Sequence, residues 1–144
     1  YATTVSTFEV TIFRATGAPV SMAPITASLS GNVALNNVAS YFDGPSVAQG
    51  TVGTWFASGT VTISDTVAAS FSAKLWDGTT VIASAGVNTS GANERITMSL
   101  SGFIASPVGN IRISVKDVTS VNGTMYFNDS GNSKDSTITA IRVA

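Results

Sequence analysis

The chain has 144 residues, only 10% of them charged, and its formal net charge is −1. It contains no cysteine and no histidine, which excludes disulfides, Cys/His metal sites and the histidine-dependent nucleophiles of most hydrolases. Its 7 basic side chains are too few for a nucleic-acid surface, and no apolar run approaches the roughly 20 residues of a membrane-spanning helix. The sequence therefore predicts a single domain over residues 1–144, with no nucleic-acid partner, no membrane partner and no cofactor.

Apolar and polar residues alternate along most of the chain, as in strands that have one buried and one exposed face. The first alternating segment, residues 5–14, precedes a looser stretch, and we expect residues 1–23 to form an arm that packs against a neighbouring molecule. Further segments follow at residues 24–30, 33–40, 54–64, 68–76, 79–87, 94–101, 109–118, 124–128 and 136–143. The pattern predicts an all-β fold, an antiparallel, jelly-roll-like β-sandwich of nine to ten strands.

The parity of the apolar positions predicts two hairpins. Apolar residues are odd-numbered on both sides of positions 76–78, so a loop with an odd number of residues is needed for paired residues to share a face. We therefore expect a three-residue loop at residues 76–78, which places Trp76 at a turn tip. The same argument predicts a loop at residues 121–123 that joins segments 109–118 and 124–128.

The polar residues form no recognisable catalytic motif. Asp is a common turn former, and Asp43, Asp65, Asp77 and Asp129 all lie in predicted turns. The run from Asp129 to Asp135 lacks the ligand spacing of known calcium loops, and no serine has a base partner. We predict no catalytic residue, no metal site and no enzymatic activity. A glycosidase or lyase remains a third hypothesis, and it requires two acids, or a lysine and a tyrosine, in one cleft.

The aromatic residues are the candidate binding residues. Tyr41 and Trp55 each have an aromatic neighbour, so one member of each pair faces outward in a strand, and Trp55 is equally consistent with a core position. Trp76, with its neighbour Asp77, is expected to contact a subunit or a ligand, and Tyr126 points away from the core-facing positions beside it. Exposed aromatic side chains are typical of subunit interfaces and of sugar-binding surfaces.

Three segments carry a resemblance: WFASGTVT at 55–62, KLWDGTTVIAS at 74–84 and SKDSTITA at 133–140. Residues 47–144, which contain them, resemble a recurrent β-sandwich module of bacteriophage and prophage structural proteins. Residues 1–46 fit the resemblance less well. It implies a location on the virion surface, in capsid decoration or a tail fibre, and it brings no catalytic residues.

The leading hypothesis is therefore a non-enzymatic virion structural protein that stabilises the particle or contacts the host surface. Its expected partners are copies of itself, as a trimer, together with other virion proteins and a host surface glycan. The alternative is a carbohydrate-binding module that presents Tyr41, Trp55, Trp76 and Tyr126 on one surface.

Overall fold

The computed structural model describes residues 23–144, so the predicted segment 5–14 and all but the last residue of the arm at 1–23 lie outside the described part. The strands are β1 (Ile25–Ser28), β2 (Val33–Leu35), β3 (Phe42–Val47), β4 (Thr54–Ser64), β5 (Ser70–Trp76), β6 (Val81–Asn88), β7 (Ile96–Ala105), β8 (Ile111–Asp117), β9 (Gly123–Tyr126) and β10 (Thr137–Arg142). Over the described range the chain forms no helix that is long and apolar enough to cross a bilayer. The predicted all-β class is confirmed.

The strands form two antiparallel sheets. The four-stranded sheet has the order β3-β8-β5-β6. The six-stranded sheet is built on β4, which pairs with β7 on one edge and with β10 and then β9 on the other. β9 and β10 lie end to end along β4, and β2 and β1 lie end to end on their far side. Each of these two places in the sheet is therefore filled by two short strands separated by a loop. The strand orders of the two sheets match those of a jelly roll, which consists of two interlocked Greek keys.

The core lies between the sheets, and β4, β5 and β8 contribute odd-numbered apolar positions to it, whereas β7 and β10 contribute even-numbered ones. Phe71 and Leu75 of β5 and Ile111 and Ile113 of β8 are almost fully buried. Burying such a side chain stabilises the fold by about 1.5–3 kcal/mol. Gly59 of β4 is needed where the packing is closest, since a Cβ there would meet the Thr137 carbonyl oxygen at 2.5 Å.

The predicted β5–β6 pairing is confirmed, but the predicted position of its loop is wrong. Leu75 lies opposite Ala83, so the odd positions of both strands share the core face. Trp76 is the last residue of β5 rather than a turn tip, and the loop spans residues 77–80. The reason is the Asp77 side chain, whose Oδ1 accepts the N–H of Thr79 at 2.9 Å and of Thr80 at 2.7 Å. A register shift between Leu75 and Trp76 restores the shared face.

The predicted hairpin between β8 and β9 is wrong. β8 pairs with β3 and β5 in the four-stranded sheet, whereas β9 pairs with β4 and β2 in the six-stranded sheet. Residues 118–122 form the crossing between the sheets, and Gly123 begins β9. Matching parity means only that both strands direct their odd-numbered residues toward the core. Two strands in different sheets that face each other across the core meet this condition as well as two hydrogen-bonded strands do.

The strand β3 was not predicted, and segment 33–40 is shorter than expected, at Val33–Leu35. Gly44 and Pro45 interrupt the alternation of β3, and the register of its pairing with β8 shifts between Asp43 and Ser46. Glycine is favoured at position 44 because a Cβ there would meet the Ile113 carbonyl oxygen at 2.9 Å as well as Met125 Sδ at 2.6 Å. This bulged strand forms one edge of the surface described next.

Candidate functional site

The outer surface of the four-stranded sheet brings aromatic and basic side chains together. Since the odd positions of β5 and β8 are buried, the even positions face outward. The strand pairing sets Trp76 opposite Arg112, and Lys74 opposite Ser114. We call this surface the aromatic–cationic face, and it consists of Tyr41, Asp43, Lys74, Trp76, Arg112, Ser114 and Lys116.

Two aromatic rings of this face flank one ammonium group. Lys74 Nζ lies 3.2 Å from the centroid of the Trp76 ring and 4.4 Å from that of Tyr41. Lys116 Nζ is 5.2 Å from the Tyr41 ring, and Arg112 Cζ is 4.8 Å from the Trp76 ring. Cations at such distances are attracted by the negative face of the ring. The rings and the cations therefore form one cluster rather than separate surface side chains.

A single carboxylate orients the cluster. Trp76 Nε1 donates to Ser114 Oγ at 2.6 Å, and Ser114 Oγ donates in turn to Asp43 Oδ1 at 2.6 Å. The same oxygen accepts a hydrogen bond from Arg112 Nε at 3.0 Å, while the Asp43 side chain remains 56% exposed. Hydrogen bonds to an ionised group are the stronger kind, so this network fixes the Trp76 ring and the guanidinium.

The face carries more positive than negative charge. Lys74, Arg112 and Lys116 are opposed only by Asp43 within the cluster, although the whole chain has a net charge of −1. Burial and the neighbouring Arg112 lower the pKa of Lys74, Asp43 opposes this, and Lys116 adds to it. An anion that binds here would relieve the repulsion among the three cations.

Of the predicted binding residues, the structure brings Tyr41 and Trp76 together and places the other three elsewhere. Trp55 is 7% exposed and lies in the core, with Nε1 donating to the Val52 carbonyl at 3.1 Å. Asp77 is buried under its own turn, where its Oδ2 accepts the N–H of Val108 at 2.8 Å. Burial raises the pKa of Asp77, but the N–H groups it binds outweigh this and hold the pKa below its ordinary value.

Tyr126 lies on the opposite side of the molecule. It pairs with Thr62 of β4 in the six-stranded sheet, its hydroxyl is 3.0 Å from Ser64 Oγ, and Arg95 Cζ lies 4.3 Å from its ring centroid. The four rings considered together in the sequence therefore do not share one surface.

The basic residues and Asp43 are the part of the site that sequence reasoning missed. Lys74, Arg112 and Lys116 have the same parity as Trp76 and so were identifiable as outward-facing. Parity does not indicate which strands are neighbours. The three cations lie close together because β5 pairs with β8. Asp43 was assigned to a turn because β3 itself was not recognised.

Two carboxyl groups meet at one end of the sandwich. Asp65 and Asp117 are 1% and 0% exposed, and Oδ2 of each is buried without a main-chain partner. Burial, together with a hydrogen bond to Asp65, raises the pKa of Asp117 to about 6. Burial also opposes ionisation of Asp65, but its hydrogen bonds to Asp117 and the Val67 N–H lower its pKa. Both carboxyl groups of the pair are buried within the fold.

No protein-family model and no curated protein matches the chain. Among solved structures, the C-terminal CBM6 of the marine laminarinase LamC from Zobellia galactanivorans is 15% identical, with 83% of this chain and 100% of that chain covered and a TM-score of 0.45. The Eiger TNF from S. frugiperda is 12% identical, with 84% and 93% covered and a TM-score of 0.49. The PRD1 vertex protein P5 is 13% identical, with 88% and 100% covered and a TM-score of 0.43. At these identities the likeness concerns the fold alone.

Proposed function

We propose that the protein is a non-enzymatic module on the surface of a bacteriophage virion, in capsid decoration or a fibre, and that it binds glycans of the host surface through the aromatic–cationic face. The observation that carries the binding role is the pair of rings, Tyr41 and Trp76, which flank Lys74 on the outer face of a sheet. Aromatic rings offer an apolar surface to the C–H groups of sugars, while the polar groups around them bind sugar hydroxyls. The resemblance of residues 47–144 to phage structural modules supports the virion location.

A glycan array tests the binding role. We expect labelled protein to bind a subset of glycans, and we expect Trp76→Ala and Tyr41→Ala to lose that binding. Tyr126→Ala is the matched control, because it removes a ring from the opposite side of the sandwich. Tyr41 precedes β3 and is 37% exposed, so its replacement is tolerated even if loss of Trp76 weakens the fold. Absence of glycan binding by the wild type, or equal binding by all variants, would contradict the proposal.

Self-association is a second role, and the six-stranded sheet favours it. The outward-facing residues of β1, β4, β7 and β10 are uncharged, and the cations beside them are engaged, Lys134 by Ser28 Oγ and Arg95 by Asp129, so little repulsion opposes contact between two copies. Phe103 is 64% exposed there, with its ring centroid 5.0 Å from that of Phe56. Exposed aromatic groups of this kind are enriched at protein interfaces. We propose that the partner is a second copy of the chain, within a trimer.

Size-exclusion chromatography with light scattering tests this second role. The wild type is expected to run as an oligomer and Phe103→Ser as a smaller species. Val108→Ser is the control, since Val108 is 67% exposed but lies in the loop after β7. A wild type that stays monomeric at high concentration would exclude self-association.

A further inference from the structure

We propose that the ligand of the aromatic–cationic face is an acidic carbohydrate, whose sugar units carry a carboxylate. This inference rests on the proposed function, which by itself leaves the charge of the glycan open. It is drawn from three features of the face: unpartnered cations, a guanidinium with donors to spare, and an exposed acceptor beside them.

The two lysines of the face have no hydrogen-bond acceptor of their own among the described residues. Within residues 23–144, neither Lys74 Nζ nor Lys116 Nζ donates a hydrogen bond, and both instead lie over aromatic rings. By contrast, Lys134 on the other side of the sandwich donates to Ser28 Oγ at 3.2 Å. Three of the 7 basic residues of the chain are thus gathered on one face, two of them with donors directed at no acceptor. Charge complementarity calls for an anion at this point.

The guanidinium of Arg112 has the geometry that a carboxylate requires. Its Nε is used by Asp43, but its Nη1 makes only a long contact of 3.4 Å with the Asn110 carbonyl. No hydrogen bond engages Nη2 in the described part of the chain, and this nitrogen lies over Gly78, 2.9 Å from where a Cβ would stand. The planar fork of arginine binds a carboxylate with two parallel hydrogen bonds. A ligand carboxylate at Arg112 would also lie near the Trp76 ring.

Asp43 favours a sugar over a nucleic acid as the source of the anion. Its Oδ1 already accepts hydrogen bonds from Arg112 and Ser114, and its exposed carboxylate provides further acceptor capacity beside the cations. Sugar hydroxyls donate to such a group, whereas the phosphates of a nucleic-acid backbone are acceptors only. A chain that alternates hydroxyls with carboxylates fits all the groups present.

The test measures binding of uronic-acid oligosaccharides by calorimetry. The panel contains oligogalacturonate and oligomannuronate, each beside its own methyl ester, which keeps the sugar ring and removes the charge. An oligothymidylate serves as the non-sugar polyanion. We expect at least one acid to bind about tenfold more tightly than its ester and than the oligothymidylate. Binding should weaken as the ionic strength rises.

Lysine variants connect the binding to the face. Lys116→Gln and Lys74→Gln should each weaken binding of the acid about tenfold, whereas Lys134→Gln, the matched control, should leave it unchanged. If the esters bind as well as the acids and only Trp76→Ala abolishes binding, the acidic ligand is excluded while the glycan-binding function stands. If the oligothymidylate binds most tightly, the ligand is a nucleic acid and the inference is wrong. If neither the acids nor the esters bind, the inference is wrong, and the glycan array decides separately whether the proposed function stands.

Discussion

On the outer face of the four-stranded sheet, alternate positions hold Lys74, Trp76, Arg112 and Lys116, whereas the six-stranded sheet presents almost only serine and threonine. The hydroxyls of that second face bond to one another across the strands. The oxygens of Thr26 and Thr139 are 3.0 Å apart, as are those of Ser28 and Thr137, and those of Thr62 and Thr97 are 2.8 Å apart. We call this surface the hydroxyl face.

The comparison shows that this chain, which has few charged residues, places three of its basic residues together on one face. The hydroxyl face satisfies many of its polar groups within the sheet, so it offers a neutral surface for broad contact. The aromatic–cationic face leaves two ammonium groups and part of a guanidinium without acceptors, as described above. The proposed ligand binding rests on these open donors.

The largest difference in stability is expected between two variants that each remove one aromatic ring, one from each face. Trp76→Ala loses a half-buried ring, its contacts with two cations and its hydrogen bond to Ser114, and should lower the free energy of unfolding by about 2–3 kcal/mol. Phe103→Ala removes a ring that is 64% exposed and should cost about 0.5 kcal/mol. Urea unfolding of both variants measures the difference. Equal losses would mean that the rings of the two faces are packed alike.

A pH titration of stability tests the buried pair Asp65 and Asp117, which belongs to neither face. Asp117 has a pKa of about 6 in the fold against an ordinary value of 3.8, so the folded state holds its proton more tightly than the unfolded chain. Its stabilising contribution is complete below the ordinary value and is lost as the pH rises through about 6. Asp65, whose pKa is lowered, acts in the opposite sense and loses its contribution only as the pH falls through its folded-state value.

We therefore expect the melting temperature of the wild type to fall as the pH rises across that interval, and Asp117→Asn to remove the fall. The amide keeps an oxygen for the N–H groups of Thr119 and Ser120 and supplies a permanent donor toward Asp65. Asp129→Asn, at the exposed ion pair with Arg95, is the control and should behave as the wild type. Parallel pH profiles for the wild type and Asp117→Asn would show that this carboxyl pair does not share a proton.

A smaller effect is expected from Asp43→Asn. The variant retains an oxygen acceptor for Ser114 but loses the charge that binds Arg112, so the free energy of unfolding should fall by about 0.5–1 kcal/mol. The loss should shrink as salt is added, because the ion pair is partly exposed. A loss that is independent of salt would indicate that the hydrogen-bond geometry, rather than the charge, holds the network together.

The smallest effect is expected on the hydroxyl face. Thr139→Val keeps the β-branched shape and removes one hydroxyl of an exposed pair, so the free energy of unfolding should change by less than about 0.5 kcal/mol. Chemical denaturation beside Asp43→Asn measures both on one scale. A loss from Thr139→Val that exceeds the loss from Asp43→Asn would reverse the order of the two faces.

Alternation in the sequence predicted the buried positions of the central strands β5 and β8. The odd positions of β5 and β8 are buried as their pattern indicates, and the lysines between them face outward. It was insufficient for pairing, because the same parity at β8 and β9 arises from two strands in different sheets. The strand β3 escaped prediction because Gly44 and Pro45 break its pattern, and Asp43 was lost from the site with it.

The position of Trp76 shows a second limit. Its turn was recognised from Asp77 and Gly78, and Gly78 does have a φ of +98°, the region that favours glycine. The length of the turn depends on which backbone N–H groups the Asp77 carboxylate binds, which a pattern of residue types does not specify. Trp76 was therefore expected in the loop, whereas it is the last residue of β5 and lies on the outer face of the sheet.

NMR titration of isotope-labelled protein with the acidic oligosaccharides tests the binding role of the aromatic–cationic face most directly. The expected result is a set of shifts confined to β3, β5 and β8, with the Trp76 indole N–H among the largest because it donates to Ser114 within the cluster. Shifts centred on Thr139 and Phe103 of the hydroxyl face, with the Trp76 signal unmoved, would contradict it.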